Sequence, residues 1–87
     1  MEKQLLNKQG VNLTYIKDLR EKNHLSQIRM AQLLGLKSPD KYTRRESGEY
    51  GIQVDELWMI SRIFNVPMEN FFPSNVRKSN KQHEEVS

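Results

Sequence analysis

Apolar residues recur at intervals of three and four along much of this chain, and polar residues occupy the positions between them. Leu13, Ile16 and Leu19, for example, fall on one side of a helix whose other side is polar. The spacing predicts four helices and a short fifth one, over residues 13–23, 27–34, 39–47, 54–65 and 68–72. The alternation of apolar and polar positions that is typical of strands is not found. We therefore expect an all-α fold in which four to five short helices surround one core.

Two of these helices are bounded by residues that favour helix ends. Ser26 and Ser38 are good N-caps, and Pro39 suits the first helical position. Gly35 ends the earlier helix, because glycine adopts a left-handed backbone without steric cost. Two short helices joined by a turn that contains glycine form a helix-turn-helix unit. In DNA-binding versions of this unit the second helix enters the major groove, so residues 39–47 are predicted to read DNA.

The two ends of the chain differ from the helical region between them. Residues 1–11 are polar and include Gly10, which is typical of a flexible N-terminal arm. Residues 73–87 have too few apolar side chains to offset the entropy lost on ordering, so a disordered polar tail is expected there. Residues 12–72 are then the single helix-turn-helix DNA-binding domain.

Positive charge is concentrated on the proposed unit. The whole chain of 87 residues has a formal net charge of only +3, which alone says little about nucleic acid. Between residues 37 and 45, however, one anion, Asp40, accompanies four cations: Lys37, Lys41, Arg44 and Arg45. The positive excess therefore falls on the turn and on the second helix of the unit, where a DNA backbone would be met.

Further residues, spread in order along about two thirds of the chain, resemble those of a known family. They are Ile16, Leu19, Arg20, Leu25, Ser26, Gln27, Ala31, Leu34, Gly35, Glu46, Ser47, Gly48, Leu57, Ile60, Phe64, Asn65, Val66, Pro67, Phe71 and Phe72. The set resembles the Cro and lambda-repressor helix-turn-helix family, also called the xenobiotic-response-element family. Within it, the short single-domain regulators of phages and mobile elements are the most similar in kind. The resemblance implies a lambda-repressor-like domain that binds double-stranded DNA and regulates transcription.

The third helix has two faces. At about 100° per residue, Tyr42 and Glu46 share one face with Pro39, and the family resemblance places Tyr42 in the core. Arg44, on the other face, is the leading candidate for base contact because its guanidinium can donate to O6 and N7 of guanine. The full set of candidate base contacts on that face is Asp40, Thr43, Arg44 and Ser47. Thr43 can meet a thymine methyl, whereas Asp40 either accepts from N4 of cytosine or only complements the helix N-terminus.

Candidates for phosphate contact flank that face: Gln27, Lys37, Lys41 and Tyr50. Phosphate contacts orient a protein on DNA without reading its sequence. The resemblance supports Gln27 most, since the family usually places this residue against the DNA backbone. Ser26 and Ser38 are better interpreted as helix caps than as ligands.

Arg20 and Glu46 form a candidate structural salt bridge. Glu46 faces inward by the geometry of the third helix, and an inward carboxylate requires a partner. In the family that the chain resembles, the corresponding pair often joins the first helix to the end of the third. The alternative is that both residues lie at the surface, where the pair would contribute little.

The fourth helix is apolar on nearly all sides. One broad face, expected to be the core, carries Val54, Leu57, Trp58, Ile60 and Phe64. Met59 and Ile63 fall on the other side, and an exposed apolar pair suggests a partner surface. We expect a homodimer whose interface includes Met59 and Ile63, with a contribution from Phe71 or Phe72. The alternative is that the last helix or the N-terminal arm covers the pair.

Other classes of function find no support in the sequence. Cysteine is absent, and His24 and His83 lie far apart, so neither a disulfide nor a metal site is expected. The sequence has no glycine-rich phosphate loop and no nucleophile with a neighbouring base, so we expect no enzymatic activity, no cofactor and no small-molecule ligand. The polar start and the lack of a long apolar run predict a cytoplasmic protein without membrane contact.

These patterns lead to one main hypothesis and one alternative. The main hypothesis is a sequence-specific transcriptional regulator that binds a pseudo-palindromic operator as a homodimer. A repressor is expected rather than an activator, because the chain carries nothing beyond the DNA-binding domain to recruit polymerase. The alternative is a protein-interaction module on the same fold, such as the antitoxin of a toxin–antitoxin pair.

Overall fold

Four α-helices and one 3₁₀ helix make up the fold of the computed structural model, which describes residues 5–7 and 9–72. Its elements are α1 (Leu13–Lys22), α2 (Gln27–Leu33), α3 (Pro39–Glu46), α4 (Val54–Phe64) and the 3₁₀ helix (Met68–Phe71). The all-α fold is confirmed, and each helix ends one residue before its predicted end. In the described part of the chain, no helix has the length and apolar character needed to cross a bilayer. The predicted disordered tail, residues 73–87, lies outside the described residues.

The helix boundaries follow from local capping. The side chains of Asn12 and Ser26 each accept a hydrogen bond from the backbone N–H three residues on, at 3.1 and 3.0 Å, as expected of N-caps. Gly35 follows α2 with a φ of +73°, a conformation that glycine adopts without strain. Ser38 has the extended backbone of an N-cap, but its side chain makes no capping hydrogen bond. The start of α3 is therefore defined by Pro39, whose fixed φ suits the first helical position.

Every helix contributes to one hydrophobic core. The buried apolar residues are Val11, Leu13, Ile16, Met30, Ala31, Tyr42, Ile52, Leu57, Ile60 and Phe71. Helices α2 and α3 pack against each other across the turn, and α1 lies against α3 and against the 3₁₀ helix. Burial of an aliphatic or aromatic side chain contributes about 1.5–3 kcal/mol, so this core holds α3 in a fixed orientation on the domain.

The described residues before α1, 5–7 and 9–11, pack against the helices, which differs from the flexible arm predicted for residues 1–11; residues 1–4 and 8 lie outside the described part of the chain. Val11 is 2% exposed and belongs to the core. The backbone N–H of Asn12 donates to the carbonyl of Phe71 at 2.6 Å. The side-chain oxygen of Asn7 accepts hydrogen bonds from two backbone N–H groups of the same segment. Polar side chains of the described part therefore satisfy backbone groups of a folded turn, while the apolar Val11 ties that turn to the core.

The rotation of α4 about its axis also differs from the prediction. Val54 and Trp58 were expected in the core but are 74% and 50% exposed, so that expectation was wrong. Ser61 is buried instead, and its hydroxyl donates to the carbonyl of Trp58 at 2.6 Å, which satisfies the polar group inside the domain. Ile63, expected on the outer side with Met59, is half-buried and packs against the core. A helix that is apolar on most sides has no unique inward face in its sequence, and its packing partners select one.

Candidate nucleic-acid interface

A buried ion pair holds the inner face of α3. Glu46 accepts hydrogen bonds from Nε of Arg20 at 2.8 Å and from Nη2 at 3.1 Å, and both side chains are nearly inaccessible to solvent. Nη1 of Arg20 donates to the carbonyl of Leu25 at 2.9 Å. The guanidinium therefore joins α1 both to the start of α2 and to the end of α3. The pair predicted from the sequence lies inside the domain and not at its surface.

Two further side chains complete the environment of Glu46. Tyr42 donates its hydroxyl at 2.7 Å, and Gln27 donates its amide N–H at 2.8 Å. Burial alone would raise the pKa of Glu46, but the hydrogen bonds from Arg20, Tyr42 and Gln27 outweigh it and hold that pKa below its usual value. Burial, and then the charge of Glu46, raise the pKa of Tyr42. At neutral pH a charged Glu46 and a neutral Tyr42 therefore fix the inner side of α3.

Gln27 links this buried network to the outer side of α3. Its amide oxygen accepts a hydrogen bond from Oγ1 of Thr43 at 2.9 Å, while its amide nitrogen donates to Glu46. The second amide N–H of Gln27 is not used by these two hydrogen bonds, so it can still donate to a DNA phosphate as predicted. The hydroxyl hydrogen of Thr43 is shared between Gln27 and the carbonyl of Pro39, at 3.2 Å from the latter. This arrangement favours contact through the Thr43 methyl group over donation to a base.

Arg44 lies at the centre of the outer face and is held from two sides. Its Nε donates to Asp40 at 2.7 Å, and its Nη1 donates to Glu49 in the loop after α3. Its guanidinium carbon lies 5.6 Å from the centre of the Tyr50 ring. The hydrogen bond to Asp40, followed by the charges of Asp40 and Glu49, raises the pKa of Arg44. Ser47, the remaining candidate for base contact, is exposed, and its hydroxyl donates to the carbonyl of Arg44 at 3.1 Å.

The other cations of this region differ in their availability. Arg45 is turned towards α4, where its Nε donates to Glu56 at 3.0 Å, and its Nη1 donates to the carbonyl of Lys41 at 2.8 Å. Lys37 and Lys41 are exposed, and neither forms an ion pair with another described residue. Glu49 and Glu56 therefore neutralise part of the positive excess counted on the turn and α3. The two lysines remain as unpaired positive charges beside the outer face.

Comparison with known families identifies this arrangement. A family model described as helix-turn-helix matches residues 16–71, more than half of the chain. The chain belongs to the Cro/C1-type helix-turn-helix family. The match runs from α1 to the end of the 3₁₀ helix, so it includes the whole unit of α2 and α3. The resemblance predicted from the residues is thereby confirmed. A search of the curated proteins finds no match.

Membership of the Cro/C1-type family bears on the class of function. The family consists of DNA-binding regulatory domains rather than enzymes, so the chain carries the domain of a DNA-binding regulator. Among the residues that the structure describes, no group of three or more His, Cys, Asp or Glu side chains could hold a metal ion. The exposed polar face of α3 is thus the candidate site of this helix-turn-helix domain.

The residues predicted to form a dimer interface do not share one exposed surface of this Cro/C1-type domain. Phe71 is 0% exposed, and its ring centroid lies 5.6 Å from that of Tyr15, so it belongs to the core and cannot contact a partner. The reason is that the 3₁₀ helix folds back against α1 and closes the core there. Ile63 and Phe72 are half-buried. Met59 is the only one of the four that is exposed.

A different apolar surface is exposed at the start of α4. Val54 and Trp58 line an open groove together with Met68 of the 3₁₀ helix. The guanidinium carbon of Arg62 lies 5.4 Å from the centre of the Trp58 ring and covers part of it. An exposed tryptophan with apolar neighbours is unusual on a surface that meets only water, and it marks a second candidate contact surface.

The contact of Glu49 with Arg44 was not predicted from the sequence, because the two residues are separated by the end of α3. The contact between Asp40 and Arg44 was not predicted either, although their spacing of four residues on one helix is a signal that could have found it. Glu49 lies beyond the end of α3, where helical periodicity no longer relates residues to one another. The backbone N–H groups of Glu49 and Tyr50 both donate to the carbonyl of Arg44, at 2.9 and 3.1 Å, so the chain turns back over the helix end.

Proposed function

We propose that this chain is a sequence-specific transcriptional repressor that inserts α3 into the major groove of an operator. The observation that carries the proposal is the division of α3 into two faces. The inner face is fixed by the buried network around Glu46, and the outer face, centred on Arg44, is open to solvent. Base readout requires such a polar face on a rigid support. Repression follows where the operator overlaps a promoter, because an occupied groove excludes polymerase.

The outer face offers groups that match base edges. Arg44 keeps three N–H groups beyond those given to Asp40 and Glu49, and these can donate to O6 and N7 of guanine. The methyl group of Thr43 can meet the methyl group of thymine. Asp40 can accept from N4 of cytosine, and the hydroxyl of Ser47 suits either kind of edge. These four residues are the proposed direct readout.

Phosphate contacts are proposed for residues on both sides of the outer face. Lys37 precedes α3, Lys41 lies on it and Tyr50 follows it, while Gln27 begins α2. The unpaired lysines carry full charges that no described carboxylate neutralises. Each phosphate neutralised in this way steepens the dependence of log K on log salt by about 0.9. Affinity should therefore fall strongly as salt rises.

We further propose that the protein binds DNA as a homodimer through the exposed surface of α4. Val54, Trp58 and Met59 replace the interface set that the sequence predicted, since Phe71 is buried and Ile63 is half-buried. Interface cores are enriched in tryptophan and methionine, which are exposed here. A symmetric dimer presents two copies of α3 to half-sites whose centres lie about 34–36 Å apart. The operator is then a pseudo-palindrome.

The test is a mobility-shift titration against a pool of random duplex DNA at about 50 and 200 mM salt, followed by sequencing of the retained DNA. Several phosphate contacts predict a loss in affinity of about 10³-fold or more between the two salt concentrations. The retained DNA should be enriched in an inverted repeat. Arg44→Ala should relax the preference at one base pair at a cost of about 1–3 kcal/mol, while Lys22→Ala, at an exposed cation of α1, should not.

The opposite result supports the alternative function. If no sequence is enriched and binding is weak even at low salt, the domain acts as a protein-interaction module such as an antitoxin. The exposed Trp58 and Val54 favour that alternative, because they offer a protein partner an apolar surface away from α3. A partner protein that remains bound at high salt would then replace DNA as the ligand.

A further inference from the structure

We propose that Glu49, together with Asp40, determines specificity by holding Arg44 for base edges and keeping it away from DNA phosphates. The inference rests on the proposed function of α3 as the DNA-reading helix. It assigns a role to a loop residue that makes no base contact itself. Glu49 acts through Arg44 and is therefore a positioning residue.

The loop that carries Glu49 is built against Arg44. The backbone N–H groups of Glu49 and Tyr50 donate to the Arg44 carbonyl, so the loop is tied to the same residue whose side chain it contacts. Gly48 has a φ of +90°, which permits this reversal of the chain. The guanidinium is then bonded at Nε by Asp40 and at Nη1 by Glu49, with the Tyr50 ring beside it. Two carboxylates and one ring limit the directions in which Arg44 can reach.

The charges of this arrangement disfavour a phosphate ligand. One guanidinium and two carboxylates together carry one net negative charge. A phosphate that accepted the remaining N–H groups of Arg44 would add a third anion beside Asp40 and Glu49, which is repulsive. The edge of guanine is an uncharged acceptor, so it can take the remaining N–H groups of Arg44 while both carboxylates stay bonded. Non-specific binding depends on phosphate contacts, so the carboxylates penalise it more than they penalise base readout.

The neighbouring lysines differ from Arg44 in having no carboxylate partner among the described residues. Lys37 and Lys41 are exposed without an ion pair among the described residues, which suits phosphate contact. Arg44 alone on the outer face is paired with two carboxylates. Exposed ion pairs of this kind contribute little to folding stability, so a gain in stability does not account for the arrangement. The pairing instead separates the cation that reads bases from the cations that bind the backbone.

The experiment compares the affinity of the full chain for its selected duplex with its affinity for random duplex of equal length. Glu49→Gln should raise the affinity for random DNA about threefold or more, because it removes one repelling charge and frees Arg44 for a phosphate. The ratio of specific to random affinity should fall by a similar factor. The salt dependence on random DNA should steepen by up to about 0.9, the value for one phosphate. Asp18→Asn removes one exposed carboxylate of α1 that does not contact Arg44, and it should leave the ratio unchanged.

A double variant separates positioning from a general change in charge. In the Arg44→Ala background, Glu49→Gln should no longer change the ratio, because the residue through which it acts is missing. An equal change in the ratio with and without Arg44, or a change no larger than that of Asp18→Asn, would overturn this inference but leave the proposed function standing. If the wild-type protein enriches no sequence from the pool, the proposed function and this inference fail together. A failure of the proposed function would therefore appear in the wild-type titration, and a failure of this inference alone would appear in the variant ratios.

Discussion

Glu46 accepts four hydrogen bonds, and the residues that donate them lie on three different helices. Arg20 supplies two of these bonds and the only positive charge in the group. Arg20→Ala would leave a buried carboxylate without its charged partner, so we predict a loss of about 3–5 kcal/mol in the free energy of unfolding. Urea denaturation measures it. Arg62→Ala, which removes an exposed arginine of α4, should cost less than about 1 kcal/mol, and equal losses would contradict a special role for the buried pair.

The same carboxylate gives a direction to the pH dependence of stability. The pKa of Glu46 is lower in the folded protein than the reference value of 4.5. Its contribution to stability is therefore complete above about pH 4.5 and is lost as the pH falls through the folded-state value. We predict that acidification from pH 7 lowers the melting temperature of the wild type more steeply than that of Glu46→Gln, because the glutamine side chain does not titrate. Parallel curves for the two proteins would show that other carboxylates dominate acid unfolding.

At the scale of the elements, the turns after α2 and α3 both contain a glycine with positive φ, +73° at Gly35 and +90° at Gly48. An alanine is strained at either position by about 1–2 kcal/mol. A Cβ at Gly48 would also lie 3.3 Å from Cδ1 of Leu13, whereas one at Gly35 would meet no atom within 4 Å. We predict that Gly48→Ala lowers the unfolding free energy more than Gly35→Ala does, as measured by urea denaturation. Equal losses would mean that Leu13 moves aside without cost.

The helix ends were predictable because their causes are local. Asn12 and Ser26 cap helices within three residues of their own positions, and Gly35 ends α2 by its own backbone conformation. The orientation of α4 was not predictable in this way. Val54 and Trp58 are as apolar as the residues that face the core, and only the packing of the other helices decides which side is covered.

At the scale of the whole molecule, the sequence indicated which face of α3 is directed away from the core but not how its charges are paired. Tyr42 and Glu46 could be separated from Arg44 because helical period relates residues within one helix. The contacts of Arg44 with Glu49 and of Arg45 with Glu56 join α3 to the following loop and to α4. No periodicity relates such positions. The positive excess counted along the sequence was therefore larger than the excess that remains free to meet DNA.

Assembly is also a property of the whole molecule, and Trp58 is the residue that tests it. Trp58→Glu places a charge on the proposed interface, so we predict a shift from dimer to monomer in sedimentation equilibrium. Because two linked half-sites gain from a high effective concentration, affinity for the inverted repeat should fall by about 10²-fold or more, while binding to an isolated half-site should not change. Ile28→Glu changes another exposed apolar residue, on α2, and should leave the assembly dimeric. A wild type that remains monomeric while it fills both half-sites would show that the operator pairs the two domains without help from α4.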